Sequence, residues 1–250
     1  LPRPPLPPSR RPEFPLPTGG PPAHRAPLKT SPPGATYPRA LHHLAAEILD
    51  NAMDEAVAGE ATRIDLELAK DQTVTVRDNG RGTPTDRHPK FKSKSALEVI
   101  LTTLHSGGKF GGEAYETSGG LHGVGLSVVN ALSDALNIEV ARDKRLWTQS
   151  YARGIPTSKL TDKGKVSNRR GTTIHFHPDP EIFGADTRFK PETLYRLARS
   201  KAYLFRGVEI RWLCAPALIN EKDAIPESAI LHFPGGLKDY LEVALGDRKT

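Results

Sequence analysis

Four glycines within seven residues, in Ser118-Gly119-Gly120-Leu121-His122-Gly123-Val124-Gly125-Leu126-Ser127, run straight into the apolar helical pattern Val128-Val129-Asn130-Ala131-Leu132. Glycine places no Cβ between backbone and ligand, and a helix that starts at once offers unpaired N–H groups and the positive end of its dipole. The stretch is an anion site in outline, and phosphate is the anion whose charge density suits it. A tight loop before a helix uses the same glycines. Other segments must decide between the two readings.

The first of these is an amphipathic helix predicted from Ala40 to Ala58. Leu41, Leu44, Ala45, Ile48, Leu49, Ala52, Met53, Ala56 and Val57 follow three-four spacing, and Gly59 closes the pattern. On the other face Glu47, Asn51 and Asp54 fall at i, i+4 and i+7, within one narrow arc. An ordinary solvated helix face mixes lysines or arginines with its acids, whereas none occurs between Leu41 and Gly59. Carboxylate and amide oxygens are hard ligands suited to a magnesium-phosphate complex.

Ile64–Leu68 and Thr73–Arg77 alternate as strands, with Lys70-Asp71-Gln72 between them. The second strand runs into Asp78-Asn79-Gly80-Arg81-Gly82-Thr83-Pro84, where Gly80 and Gly82 let the chain turn beneath a flat ligand. A carboxylate at Asp78 accepts from an exocyclic amine, which adenine has and guanine, with a carbonyl there, lacks. Ser95-Ala96-Leu97-Glu98 reads as a capping box opening a helix. Residues 105–119, with Lys109 among their glycines, read as a basic lid ahead of the glycine motif. Strands are expected at 138–141, 146–152 and 172–177, with Thr172 offering a hydroxyl at the start of the last. A helix from Pro191, a strand at 208–213 and a strand-turn-helix at 230–241 complete the pattern.

Composition narrows the class. The net charge is +6, but residues 1–35 hold five cations against one Glu, which leaves only +2 for the other 215 residues. Nucleic-acid binding therefore does not follow from bulk charge. The same 35 residues contain 13 of the 23 prolines and read as a disordered leader, because they cannot bury enough apolar surface to offset ordering. No apolar run is long enough to span a bilayer and no signal peptide is evident, so no membrane partner and a cytoplasmic location are expected. The single cysteine, Cys214, lies in an apolar setting and reads as core filling.

Helix with Glu-x3-Asn, strand to Asp-x-Gly-x-Gly, lid, then glycine motif into a helix: this order resembles the ATPase domain of the gyrase, heat-shock chaperone, histidine kinase and MutL (GHKL) superfamily. Glu47-Ile48-Leu49-Asp50-Asn51-Ala52-Met53-Asp54-Glu55-Ala56, Leu104-His105-Ser106-Gly107-Gly108-Lys109-Phe110 and Ser118–Gly125 are similar to bacterial type IIA topoisomerase B subunits. His88–Leu101 and Ser200-Lys201-Ala202-Tyr203-Leu204 resemble the topoisomerase IV branch, with the gyrase branch as the alternative and a histidine-kinase-type ATP-binding domain more distant. The resemblance covers about residues 39–245 and implies an α+β two-layer sandwich, the GHKL or Bergerat fold, in which helices cover one face of a mixed or antiparallel sheet.

It also implies ATP and Mg²⁺ as cofactors. Glu47 matches the general base, Asn51 the Mg²⁺ ligand and Asp78 the adenine-reading carboxylate. Asp54 and Gly82 fall within the nucleotide-binding motifs, Gly120, Leu121, His122, Gly123, Val124, Gly125 and Leu126 match the phosphate loop, and Lys109 and Thr172 lie beside the nucleotide. Implied partners are the A subunit of topoisomerase IV, DNA through the full complex, and a second B subunit on ATP binding. The expected division is a leader over 1–35, the ATP-binding domain over 36–215, and a linker with the start of a transducer domain over 216–250. The family's arm string before the Asn-bearing helix has no match in Thr30–Arg39, and its transducer lysine is not found, so slow hydrolysis is expected.

Overall fold

The computed structural model describes residues 37–103, 125–220 and 223–246. Helix α1 spans Tyr37–Val57, and strands β1 (Arg63–Leu68) and β2 (Val74–Asp78) form a hairpin behind it. Helices α2 (Ala96–Thr102) and α3 (Gly125–Ala131) precede β3 (Ser133–Arg142), β4 (Arg145–Ala152), β5 (Ile155–Pro156), β6 (Thr161–Lys165) and β7 (Gly171–Pro178). Then follow α4 (Pro180–Phe183), α5 (Pro191–Leu204), β8 (Glu209–Cys214), β9 (Ser228–Leu231) and α6 (Leu237–Leu245).

Among the described residues the strands form one sheet ordered β5-β4-β3-β7-β2-β1-β8-β9, with β6 also paired to β4. Only β1 and β8 run parallel; the other recorded pairs are antiparallel. The sheet is mixed, as expected.

Register makes one face apolar. Ile138, Ile174, Val76, Leu66 and Trp212 stand opposite one another across five strands, and Leu136, Phe176, Val74, Leu68 and Cys214 form a second row. All ten are buried. The alternate positions Glu139, Thr173, Arg77, Asp65 and Arg211 form a polar row on the opposite face. Side chains two apart share a face, so strict alternation explains both rows.

Helix α1 lays Leu41, Leu44, Ala45, Ile48, Leu49, Ala52 and Met53 onto the apolar face. Each large aliphatic side chain so buried contributes roughly 1.5–3 kcal/mol. Ser95 caps α2 by accepting from Glu98 N at 3.1 Å, the half of the capping box that the helix start requires. Asn130, wholly buried on α3, donates to the Leu101 carbonyl at 2.8 Å and ties α3 to α2. Cys214 is buried and free, its thiol pushed up to about 11 chiefly by burial.

The structure differs from the sequence pattern in three places. Strand β3 starts at Ser133, directly after α3, rather than near Ile138. The short edge strands β5 and β6 have no apolar alternation and went unforeseen. The segment after residue 215 continues this sheet: β9 pairs with β8, and Trp212 Nε1 donates to Pro226 O at 2.9 Å. Tyr203 of α5 stacks on Phe233 at 3.7 Å between ring centroids and meets Tyr240 of α6 edge-on.

Candidate functional site

Alternation along Val74-Thr75-Val76-Arg77-Asp78 points Asp78 to the same face as Val74 and Val76. A carboxylate thus occupies a core position, only 4% exposed. Burial pushes its pKa up to about 6, and the negative charge of Glu55 adds to the rise. Two backbone donors oppose it: Gly80 N at 2.7 Å from Oδ1, and Thr172 N at 3.3 Å from both oxygens. Among the described residues Oδ2 has only that long contact, so most of its acceptor capacity remains.

The loop after Asp78 is held at every residue. Asn79 Oδ1 accepts from Thr62 N and Arg63 N, each at 2.9 Å. Arg170 Nε donates to Gly80 O at 2.9 Å, and Arg142 Nη1 to Gly82 O at 2.8 Å. Glu55 of α1 accepts from Arg81 N at 2.9 Å and from its guanidinium Nη2 at 2.8 Å. Burial works against ionisation of Glu55, but these bonds and the Arg170 charge outweigh it and hold its carboxyl below the usual range. Thr83 N donates to Thr172 Oγ1 at 3.0 Å. Gly171, at φ 105°, lets β7 start against this loop; a Cβ there would run into the Asp78 carbonyl.

Glu47 lies on α1 beside the start of α3. A Cβ at Gly125 would strike its Oε2, so glycine is what admits α3 to this distance. His43 Nε2 stands 3.1 Å from Glu47 Oε1, one helical turn back. Asn51 and Asp54 are half-buried further along the same helix. No hydrogen bond to the Asn51 side chain occurs among the described residues, and Asp54 does have a partner. No group of three or more His, Cys, Asp or Glu able to hold a metal occurs among the described residues. A lone amide oxygen fits Mg²⁺ brought in on phosphates, since that ion keeps waters and phosphate oxygens and seldom takes a protein cage.

The structure therefore brings Glu47, Asp78, Gly82, Gly125 and Thr172 into the α1–sheet region as described elements. Leu126 faces the core, so only its backbone is open to a ligand. Lys109, Gly120, Leu121, His122, Gly123 and Val124 lie outside the described residues. Sequence reasoning missed Glu55, Arg81, Arg142, Arg170 and His43. For His43 the i−4 spacing from Glu47 was the available signal; the arginine partners lie up to 110 residues away in sequence and had none.

A family model described as "Histidine kinase-, DNA gyrase B-, and HSP90-like ATPase" matches residues 36–182, more than half of the chain. The chain belongs to this ATPase family. Among individual relatives of this gyrase B- and HSP90-like chain, the DNA topoisomerase 4 B subunit of Bartonella bacilliformis is 59% identical over 215 residues, 86% of this chain and 31% of the relative. The protein of the same name from Caulobacter vibrioides is 57% identical, covering 83% of this chain and 30% of the relative. The chloroplastic/mitochondrial DNA gyrase B subunit of Nicotiana benthamiana is 45% identical, covering 86% and 30%. The chain thus spans about a third of the length of these relatives. The crystal structure of the 43K ATPase domain of Thermus thermophilus gyrase B, in complex with an aminocoumarin, superposes with a TM-score of 0.69 at 37% identity, over 82% of this chain and 50% of that one. The two-layer fold expected of the family is the fold observed.

Proposed function

We propose that the site between α1 and the Asp78–Thr83 loop binds ATP with Mg²⁺ and hydrolyses it, as the nucleotide-driven part of a type IIA topoisomerase of the topoisomerase IV kind. The observation that carries this reading is the buried Asp78 carboxylate, fixed by backbone donors yet with an oxygen to spare. Adenine presents its 6-amino group to such a carboxylate, at the ring position where guanine carries a carbonyl that cannot donate. Identities of 57–59% to topoisomerase 4 proteins against 45% to a gyrase protein favour the topoisomerase IV branch.

Asn51 would hold Mg²⁺ through its amide oxygen. The bound ion would neutralise charge on the phosphates. Glu47 takes the proton of the attacking water as the new oxygen–phosphorus bond forms; the bond from the γ-phosphorus to the β–γ bridging oxygen breaks, and ADP leaves with those electrons. His43 orients Glu47, and Gly125 through Leu126 would present backbone amides as the end of a phosphate loop that includes Gly120–Val124 and Lys109. Thr172 and Gly82 line the base side, and Asp54 the helix beyond Asn51. In the whole enzyme the partners would be the A subunit of topoisomerase IV, DNA, and a second copy of the protein that carries this domain.

No described helix is long and apolar enough to cross a membrane. A nucleotide panel tests the reading: calorimetric titration in Mg²⁺ is expected to show ATP bound in preference to GTP and NAD. Equal affinity for ATP and GTP would remove the role assigned to Asp78.

A further inference from the structure

Charge is spread unevenly over the chain. Residues 142–170 hold nine lysines and arginines against two aspartates, a net +7, while the remainder of residues 36–250 holds twenty-one against twenty-six, a net −5. The positive excess falls on β4, β5, β6 and their connections, at one edge of the sheet.

The arginines and lysines of this segment are used differently. Arg145 pairs with Asp162, Arg153 with Asp179 and Glu181, and Arg169 with Glu139. Arg142 and Arg170 hold the carbonyls of Gly82 and Gly80. Lys144, Lys159, Lys163 and Lys165 are all exposed, and none has a carboxylate partner among the described residues. Three of them lie on or beside β6, an edge strand, and the path from Lys159 to Lys165 is about 20 Å long at the usual rise per residue. Lys144 joins the far end, where Val166 N donates to Lys144 O at 2.9 Å.

We propose that this lysine edge docks the phosphate backbone of duplex DNA, at a surface separate from the nucleotide site. The proposal rests on the DNA-directed reading given above. A duplex presents roughly a dozen phosphates along 20 Å of its axis, so four ammonium groups over that length can offset about a third of that charge, the share that one face of the duplex turns toward a docked surface. Lysine contacts to phosphate position a duplex without reading its sequence. A protein partner would need an apolar centre, and the only large apolar side chain exposed on this segment is Ile155.

The test titrates the full chain with a short labelled duplex of mixed sequence over a series of salt concentrations. Four phosphate contacts contribute a slope of about −3 to −4 in log K against log salt, or about a hundredfold loss of affinity between roughly 50 and 200 mM. Replacing all four lysines by Gln should remove that contribution, and each single Lys→Gln about one unit of slope. ATP affinity should stay unchanged in these variants, because among the described residues none of the four side chains hydrogen-bonds or ion-pairs with a residue of the nucleotide site. An unchanged slope in the quadruple variant would assign any binding to the cations of residues 1–35 and overturn the proposal. Self-association of that variant with an unchanged slope would do the same, leaving the lysines as guards of an exposed strand edge. Lysine-dependent capture of polyglutamate as tight as that of the duplex would overturn the assignment to nucleic acid. Lysine-dependent DNA binding by a chain that fails to bind ATP would support this surface while rejecting the nucleotide reading.

Discussion

The two ends of the candidate site are built in opposite ways. Around Asp78 every residue from Asn79 to Thr83 is tied by a named hydrogen bond, and the carboxylate itself is buried. Along α1 the Glu47 side chain is about a third exposed with His43 Nε2 beside it, and the Asn51 side chain has no hydrogen-bond partner among the described residues. A flat base of fixed shape can be met by a rigid pocket, whereas a magnesium-bound triphosphate brings its own ligands and changes charge during reaction. Under the proposed function, the fold pre-organises base recognition at one end and leaves the groups assigned to chemistry accessible at the other.

Breaking the accessible end should have the largest effect on rate. Glu47→Gln is expected to lower ATP turnover by about 10²–10⁴-fold while ATP affinity changes only slightly, as single-turnover and equilibrium binding measurements would show. Equal loss of both would make Glu47 a structural residue. Breaking the rigid end should act on the fold as well as on binding. Gly171→Ala forces a Cβ toward the Asp78 carbonyl at a positive φ and should destabilise the chain by about 2–4 kcal/mol in urea unfolding. Asp78→Ala should weaken ATP binding about a hundredfold, the scale of a lost charge-assisted hydrogen bond in a closed site. The smallest effect is expected at His43→Gln, which should reduce turnover by roughly tenfold or less, with ATP affinity unchanged.

This contrast also explains what the sequence disclosed. The stripe on α1 was legible because three-four apolar spacing fixes which face looks outward, and the absence of lysine and arginine marks that face. Asp78 was legible as a strand-end carboxylate, and its burial follows from alternation with Val74 and Val76. Local pattern cannot reveal pairings between distant segments. The parallel alignment of β1 with β8, the grip of Arg170 on Gly80 and that of Arg142 on Gly82 all depend on tertiary approach. The start of β3 was hidden because Ser133-Asp134-Ala135-Leu136-Asn137 has no β-branched residue and its ladder partner in β7 decides its conformation. β5 was hidden because it is only two residues long and one of them is Pro156, and β6 because Thr161-Asp162-Lys163-Gly164-Lys165 has no apolar residue to mark an inward face.

Burial makes Asp78 expensive to the empty protein. Its folded-state pKa of about 6 lies above the usual 3.8. The native state therefore holds the extra proton between those values, and stability falls as pH rises through that window and stays lower above it. At pH 7 the penalty amounts to about 3 kcal/mol by linkage. Asp78→Asn removes the charge while keeping an acceptor for Gly80 N. The decisive measurement is the melting temperature and the ATP affinity of Asp78→Asn against the parent chain, both at pH 7 and with the melt repeated near pH 4. Greater stability at pH 7, no gain near pH 4 and weakened ATP binding are expected of a carboxylate retained for its ligand. A variant no more stable than the parent at pH 7 that still binds ATP as tightly would contradict that role.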